Sequence, residues 1–248
     1  MTQASNLSHH TLETIVSRAE LQEVDGVDGG AFKTLESAFG KVGELRVFHG
    51  EKVAKLVYIS MTVAQFGLDS HMIFAFTPPT SAVPHFTLDS VMNGEDNFAF
   101  HLDLIPRVDL GANLDYLFNV FSDLDAHFEA TGKIEGLTPT RLGPTQYAIM
   151  SPWMLAYRAN TSAFAAINEP VNAYLEHWFG LLENGVGDLH FDNEALAERD
   201  RLNRAAIFNP KVDRVWAQVD RLLGADTSVF LQEVLKNQSV ESLEGASA

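Results

Sequence analysis

Residues 84–106, PHFTLDSVMNGEDNFAFHLDLIP, constrain the fold more than any other stretch of the chain. Asn93-Gly94 lies between two runs of alternating apolar and polar residues, and this is a strong hairpin signal. Because strand side chains alternate with period 2, His85, Thr87 and Asp89 share one face of the first strand, and Phe86, Leu88 and Ser90 share the other. A connecting loop of even length puts Phe98 and Phe100 on the face of Asp89. The same parity puts His101 and Asp103 on the opposite face, where they read as structural. Aspartate is depleted in strands and costly to bury when ionised. Asp89 is therefore either solvated on an open sheet face or placed for a chemical task.

Strand-like segments precede this hairpin at 44–49, 52–60 and 71–77, the first two separated by Gly50-Glu51, which reads as a tight turn. Together they predict a five-stranded antiparallel meander. Apolar residues at helical spacing predict helices over 9–22 and 31–42, on either side of the Gly29-Gly30 break, with residues 1–8 loose. Downstream, 113–130 has an amphipathic pattern with Leu114, Leu117, Phe118, Phe121, Leu124 and Phe128 on one side. Residues 131–146 read as a loop, and 147–158 are ambiguous between strand and helix. Helices are predicted over 161–183, interrupted at Pro170, then over 192–208 and 210–237 with a break at Gly224. This pattern is an antiparallel sheet covered by helices, and no linker or repeat divides the chain into domains. One domain over 1–248 is expected, with 1–8 and 239–248 flexible.

Composition narrows the chemistry. No cysteine is present, so disulfides, thiolate-ligated metals and thiol catalysis are excluded. The net charge of −16 opposes nucleic acids and anionic membranes as partners. No apolar run reaches the roughly 20 residues that span a bilayer, and MTQASNLSHH lacks a signal-peptide pattern. A cytoplasmic protein, acting as a monomer, is expected. Seventeen phenylalanines suit a core or pocket lined by aromatic rings.

Glycine-rich phosphate loops, nucleophile elbows and metal-binding His/Glu pairs are absent from the sequence, so no metal is expected. His85 and Asp89 lie two pleats apart on one face, about 13 Å between backbones, within joint reach of a ligand of moderate size. In EALAERDRLNR, 194–204, helical spacing pairs Asp200 with Arg204 on a charged face.

Several segments together resemble the ferredoxin-dependent bilin reductases, and more distantly red chlorophyll catabolite reductase. They are HMIFAFTPPTSAVPHFTLD ending on Asp89, LDLIP at 102–106, Pro144 with Gln146-Tyr147, SPWMLAYR at 151–158, AERD ending on Asp200, and LLGADTSVFLQEVL at 222–235. The resemblance covers roughly 44–237 and is similar to the phycoerythrobilin-type enzymes around AERD. It implies a three-layer α/β/α sandwich, a central antiparallel sheet flanked by helices, holding an open-chain tetrapyrrole between the sheet and the C-terminal helices. No cofactor is bound permanently; electrons come singly from reduced ferredoxin or flavodoxin, and acidic side chains supply protons. Asp89 and Asp200 are the implied acids, meeting over one cavity. Arg141 and Arg201 take the positions of propionate-binding residues, and Phe98 and Phe100 would stack on the pigment. The strand position of the family's proton-relay His or Asn is Met72 here; its neighbour His71 points the other way unless a bulge intervenes. With Met72 there, the implied activity is reduction of biliverdin IXα, or of a dihydrobiliverdin, at the 15,16 double bond. Arg201 replaces the proline that follows the second aspartate, and 205–221 is longer than the family pattern. A patch of Arg199, Arg201, Arg204, Lys211 and Arg214 is the implied docking face for ferredoxin. Alternative readings are reduction of a chlorophyll-derived linear tetrapyrrole and non-enzymatic bilin binding.

Overall fold

The computed structural model describes residues 1–26 and 30–240. Five strands form the expected meander: β3 (Gly40–His49), β4 (Lys55–Val63), β5 (Leu68–Phe76), β6 (His85–Asn93) and β7 (Phe98–Ile105). The short β1 (Gln22–Glu23) and β2 (Lys33–Ser37) pair with β3. β9 (Leu155–Ala159) extends the sheet beyond β7, and β8 (Leu137–Pro139) pairs with β9, the short α4 (Pro144–Tyr147) lying between them in the chain. All neighbouring pairs are antiparallel.

Alternation along these strands produces two apolar faces, and each is covered. On one side Phe86, Leu88, Leu102 and Phe100 pack beneath α1 (Gln3–Arg18), α2 (Leu114–Phe121), α3 (Asp125–Thr131), α5 (Thr161–Ala166) and α6 (Asn168–Asn184), with Trp178 fully buried among them. On the other side Val57, Ile59, Phe74 and Phe76 face α7 (Asn193–Ile207), α8 (Trp216–Leu223) and α9 (Ala225–Lys236). The architecture is the three-layer α/β/α sandwich that the resemblance implied. Among the described residues no helix is long and apolar enough to cross a membrane.

Local differences from expectation have identifiable causes. The chain is helical from Gln3, not loose through residue 8: Thr2 caps the helix by accepting from the Ser5 N–H at 3.1 Å, and its hydroxyl bonds Asp69. The helix predicted over 31–42 is instead the β2–β3 hairpin; its break at Gly29 lies outside the described residues. Leu35 and Val42 are buried from strands and Phe32 from just before β2, while Phe39 at the hairpin tip is 52% exposed. A 3₁₀ turn, Ser122–Leu124, breaks the 113–130 helix and rotates its buried face. Tyr116, Val120 and Phe121 are fully buried, whereas Leu114 and Phe118 are exposed. The break between α5 and α6 falls at Ile167, because Pro170 sits in the first turn of α6, where its missing N–H costs nothing.

The β6–β7 connection matters most for function. Its last register pair is Met92 with Phe98, leaving a five-residue loop, 93–97, closed by Asn93 N–H donating to the Asn97 carbonyl at 2.8 Å. Gly94 takes φ 95°, which suits only glycine. Five is odd, so every side chain of β7 faces opposite to the even-loop expectation.

Candidate active site

Because of that register, Asp89 lies between Met72 on β5 and His101 on β7, all three in direct lateral pairing. They line a cavity of about 890 Å³ between the sheet and the C-terminal helices, within the range of roughly 300–1,000 Å³ common for small-molecule sites. Thr87 and Val91 continue the sheet wall, and Trp216, Val219 and Leu231 supply the helical one. Phe39 and Phe66, in an edge-to-face pair at 5.4 Å, stand at its rim and are largely exposed.

In this apolar slot the polar groups are concentrated. Asp89 Oδ2 is 3.6 Å from His101 Nδ1, an ion-pair contact longer than a hydrogen bond. Three buried atoms on adjoining strands lack any partner: Thr87 Oγ1, Asp89 Oδ1 and His101 Nε2. Orphaned buried donors and acceptors are rare, and three together on one cavity wall mark where a polar ligand belongs. Asp213, in the connection between α7 and α8, also lines the cavity. Burial pushes its carboxyl up; the Val215 N–H donated to Oδ1 at 3.0 Å opposes this, and the negative charge of Asp89 adds to it. For His101, burial favours the neutral ring, but the Asp89 carboxylate beside it, helped by Asp103 and Asp213, outweighs burial and raises its value. Asp103 accepts from Ser151 N–H at 3.0 Å and Ser151 Oγ–H at 2.5 Å, and burial raises it.

Asp200 is not on the cavity wall. It is 2% exposed, inside α7's contact with the sheet, and its carboxylate is fully engaged. Arg204 Nε donates to Oδ2 at 2.9 Å, Gln238 Nε2 donates to Oδ2 at 2.8 Å, and Arg107 Nη1 lies 3.1 Å from Oδ1. His85 accepts the Thr77 N–H on Nδ1 at 3.0 Å, so its proton is on Nε2, which donates to Asp200 Oδ1 at 2.6 Å. Burial opposes ionisation of Asp200, but the His85 hydrogen bond and the Arg204 and Arg107 guanidiniums hold it far below the usual carboxylate range. Set against two guanidiniums and an imidazole N–H, this carboxylate is their counter-ion. The expected Asp200–Arg204 pair exists, but it is buried. The meeting of Asp89 with Asp200 is thus corrected: Asp89 meets His101 and Asp213.

Other expected site residues also fall elsewhere. His85 shares Asp89's face but is sealed into the Asp200 cluster, off the cavity. His71 points to the α1 side, bonding Tyr58 Oη at 2.7 Å and Asp69 at 3.0 Å. Phe98 stacks on Phe164 at 4.6 Å in the opposite core. Phe100 borders the slot from its strand, yet its ring stacks on Tyr157 at 5.8 Å on the far side. Arg141 is exposed and does not itself line the cavity, although Thr140 and Leu142 on either side do, and Arg201 is exposed and paired with Glu198 at 2.7 Å. The cationic side chains that do line the cavity are Arg158 and Arg221; both are exposed, and neither has an ion pair among the described residues. Of the expected basic patch, Arg204 is buried and Arg199 Nη2 donates to the Val108 carbonyl at 3.0 Å; Lys211, Arg214 and the Glu198-paired Arg201 are exposed. No cluster of metal-ligating side chains occurs among the described residues.

An antiparallel sheet sandwiched by helices, with a mainly apolar slot on its C-terminal-helix side and acids on the slot's wall, defines an α/β/α sandwich. Its fold is that of the crystal structure of selenomethionine phytochromobilin synthase from tomato, determined in complex with biliverdin. The two superpose with a TM-score of 0.74 at 18% identity, over 93% of this chain and 80% of that one. No protein-family profile and no curated protein matches the sequence.

Proposed function

We propose that this chain is a ferredoxin-dependent bilin reductase, taking biliverdin or a dihydrobiliverdin into the slot between the sheet and α7–α9. The observation that carries the reading is the set of unpartnered polar atoms, Thr87 Oγ1, Asp89 Oδ1 and His101 Nε2, on the wall of a slot large enough for a linear tetrapyrrole. A bilin offers pyrrole N–H donors and lactam carbonyl acceptors, which match an acceptor at Asp89 and a donor at Thr87. The shared fold with a structure that holds biliverdin adds support.

Reduced ferredoxin supplies single electrons, and each carbon–carbon double bond reduced takes two electrons and two protons. Asp89 delivers one proton and Asp213, from the helical side, the other; burial, which raises Asp213, makes it hold a proton more readily than an exposed carboxyl. Arg158 and Arg221 receive the propionates at the mouth, since a guanidinium fork fits a carboxylate. Met72 carries no proton, so protons reach the pigment from the β7 side of Asp89, and the 15,16 double bond is the expected target.

Mixing the purified chain with biliverdin tests the reading. The visible spectrum should shift on binding, and reduced ferredoxin added anaerobically should convert the bound pigment to a band at shorter wavelength. A spectrum identical to free biliverdin would remove the pigment from the slot. Binding without conversion would make the chain a carrier.

A further inference from the structure

Asp89 has one side-chain neighbour in register on each flanking strand. On β5 it is Met72, a thioether that neither gives nor takes a proton. On β7 it is His101, whose Nδ1 lies 3.6 Å from Asp89 Oδ2 and whose Nε2 is buried without a partner on the cavity side of the sheet. Along β6 itself the next residues on that face are Thr87 and Val91, and neither titrates near neutral pH. Among the residues next to Asp89 on its own face of the sheet, His101 is therefore the one that can pass it a proton.

We propose that His101 is a proton-carrying catalytic residue that reloads Asp89 through Nδ1 and takes up protons at Nε2, a role that rests on the bilin-reductase reading. In the resting pair the imidazolium and the carboxylate share one proton. When a single electron from the iron–sulfur donor enters the bilin, the shared proton passes from Nδ1 of His101 to Asp89 and on to a bilin carbon, leaving a neutral imidazole and a carboxylate. A second electron and the proton of Asp213 complete the conversion of C=C to CH–CH, so two electrons and two protons are consumed. His101 and Asp213 then recover their protons from water at the cavity mouth.

The electrostatics agree with this placement. The groups facing His101 are Asp89 on β6, Asp103 on its own strand and Asp213 between α7 and α8, all acidic, with Arg158 and Arg221 elsewhere on the same cavity. Three acids favour the imidazolium over the neutral ring despite burial. The buried Asp103 is fixed by two Ser151 hydrogen bonds, so this field is built into the sheet.

The test uses His101→Gln, which retains hydrogen bonding but carries no proton at neutral pH. Biliverdin affinity should stay within about threefold, while turnover with reduced ferredoxin falls by about 100-fold or more, the usual contribution of a general acid–base. The pH midpoint of the bound pigment's protonated band should fall by more than about one unit in the variant, since one unit corresponds to a tenfold change in proton affinity. Turnover within about threefold of the parent with an unmoved midpoint overturns the role while leaving the reductase reading intact. A parent chain that neither binds nor reduces biliverdin overturns both. A pigment-free measurement guards against a variant that fails to fold. Histidine ring resonances of the parent should show His101 titrating above the ordinary value of about 6.5, and Asp89→Asn should lower that midpoint; a His101 midpoint below 6.5 in the parent refutes proton sharing.

Discussion

Asp200→Asn separates a structural acid from a chemical one. The Asp200 side chain is 1% exposed and is the carboxylate placed against Arg107, Arg204 and the Nε2–H of His85. Asparagine keeps the shape but leaves two guanidiniums, themselves only 1–2% exposed, without the anion that compensates them. Removing one partner of a buried ion pair typically costs about 3–5 kcal/mol, because the remaining charge stays buried. For a chain of this size each kcal/mol shifts Tm by about 2–4 °C, so the expected loss is roughly 6–20 °C. Urea unfolding followed by circular dichroism, with thermal melts in parallel, measures it. At a temperature where the variant is folded, biliverdin reduction should persist within about tenfold of the parent, since Asp200 does not border the slot. Asp213→Asn should do the reverse, leaving the Tm within a few degrees and cutting turnover by about 100-fold or more. If Asp200→Asn melts within about 2 °C of the parent and yet abolishes reduction, the assignment of the two acids is wrong.

Acid sensitivity should trace to His85. Burial and the nearby Arg107 charge push its value down to about 3, so the folded protein holds it neutral while the unfolded chain protonates it. The unfolded state binds more protons between about pH 6.5 and 3, so stability falls as pH drops through that window; comparing urea midpoints at pH 7 and 5 should show a smaller drop in His85→Gln. Arg158→Ala and Arg221→Ala should each weaken biliverdin binding about two- to fivefold, the worth of an exposed ion pair, and high salt should shrink the difference. Arg141→Ala and Arg201→Ala should leave the visible-spectrum titration unchanged. Phe98→Ala should cost about 3–5 kcal/mol in urea unfolding through its lost stacking on Phe164, with no change in the pigment's spectrum once folded.

Much of the fold is legible in the residues alone, because its largest part depends on local pattern. The β3–β7 meander follows from alternating apolar runs, and the α7–α9 layer from helical spacing with Gly224 as a break. What the pattern hid was parity. Asn93-Gly94 marks a turn but not its length, and one residue of difference moved Phe98 and Phe100 into the opposite core and brought His101 beside Asp89. The 31–42 segment misleads for a related reason: Leu35 and Phe39 are four apart, as on a helix, yet they lie in a strand and at a hairpin tip.

Asp200 and Asp213 show why charged residues are hard to assign from sequence. Both sit in polar, helix-rich segments, and the Asp200–Arg204 spacing fits an exposed pair as well as a buried one. Only the docking of α7 against Arg107 and His85, far away in the chain, decides that Asp200 is a counter-ion. Asp213 carried a weak local signal: it follows Asn209-Pro210 at a helix break and caps its own turn through Val215 N–H. Of the arginines at the cavity mouth, Arg158 in β9 closes the SPWMLAYR segment, whereas Arg221 in the last turn of α8 carries no local signal.

Chromatography of the pigment after anaerobic incubation of biliverdin with reduced ferredoxin and the chain tests the central claim most directly. The parent should yield a two-electron-reduced bilin, while Asp89→Asn and Asp213→Asn return chiefly biliverdin although both still bind it. Unchanged biliverdin from the parent, or full conversion by both variants, would contradict the account.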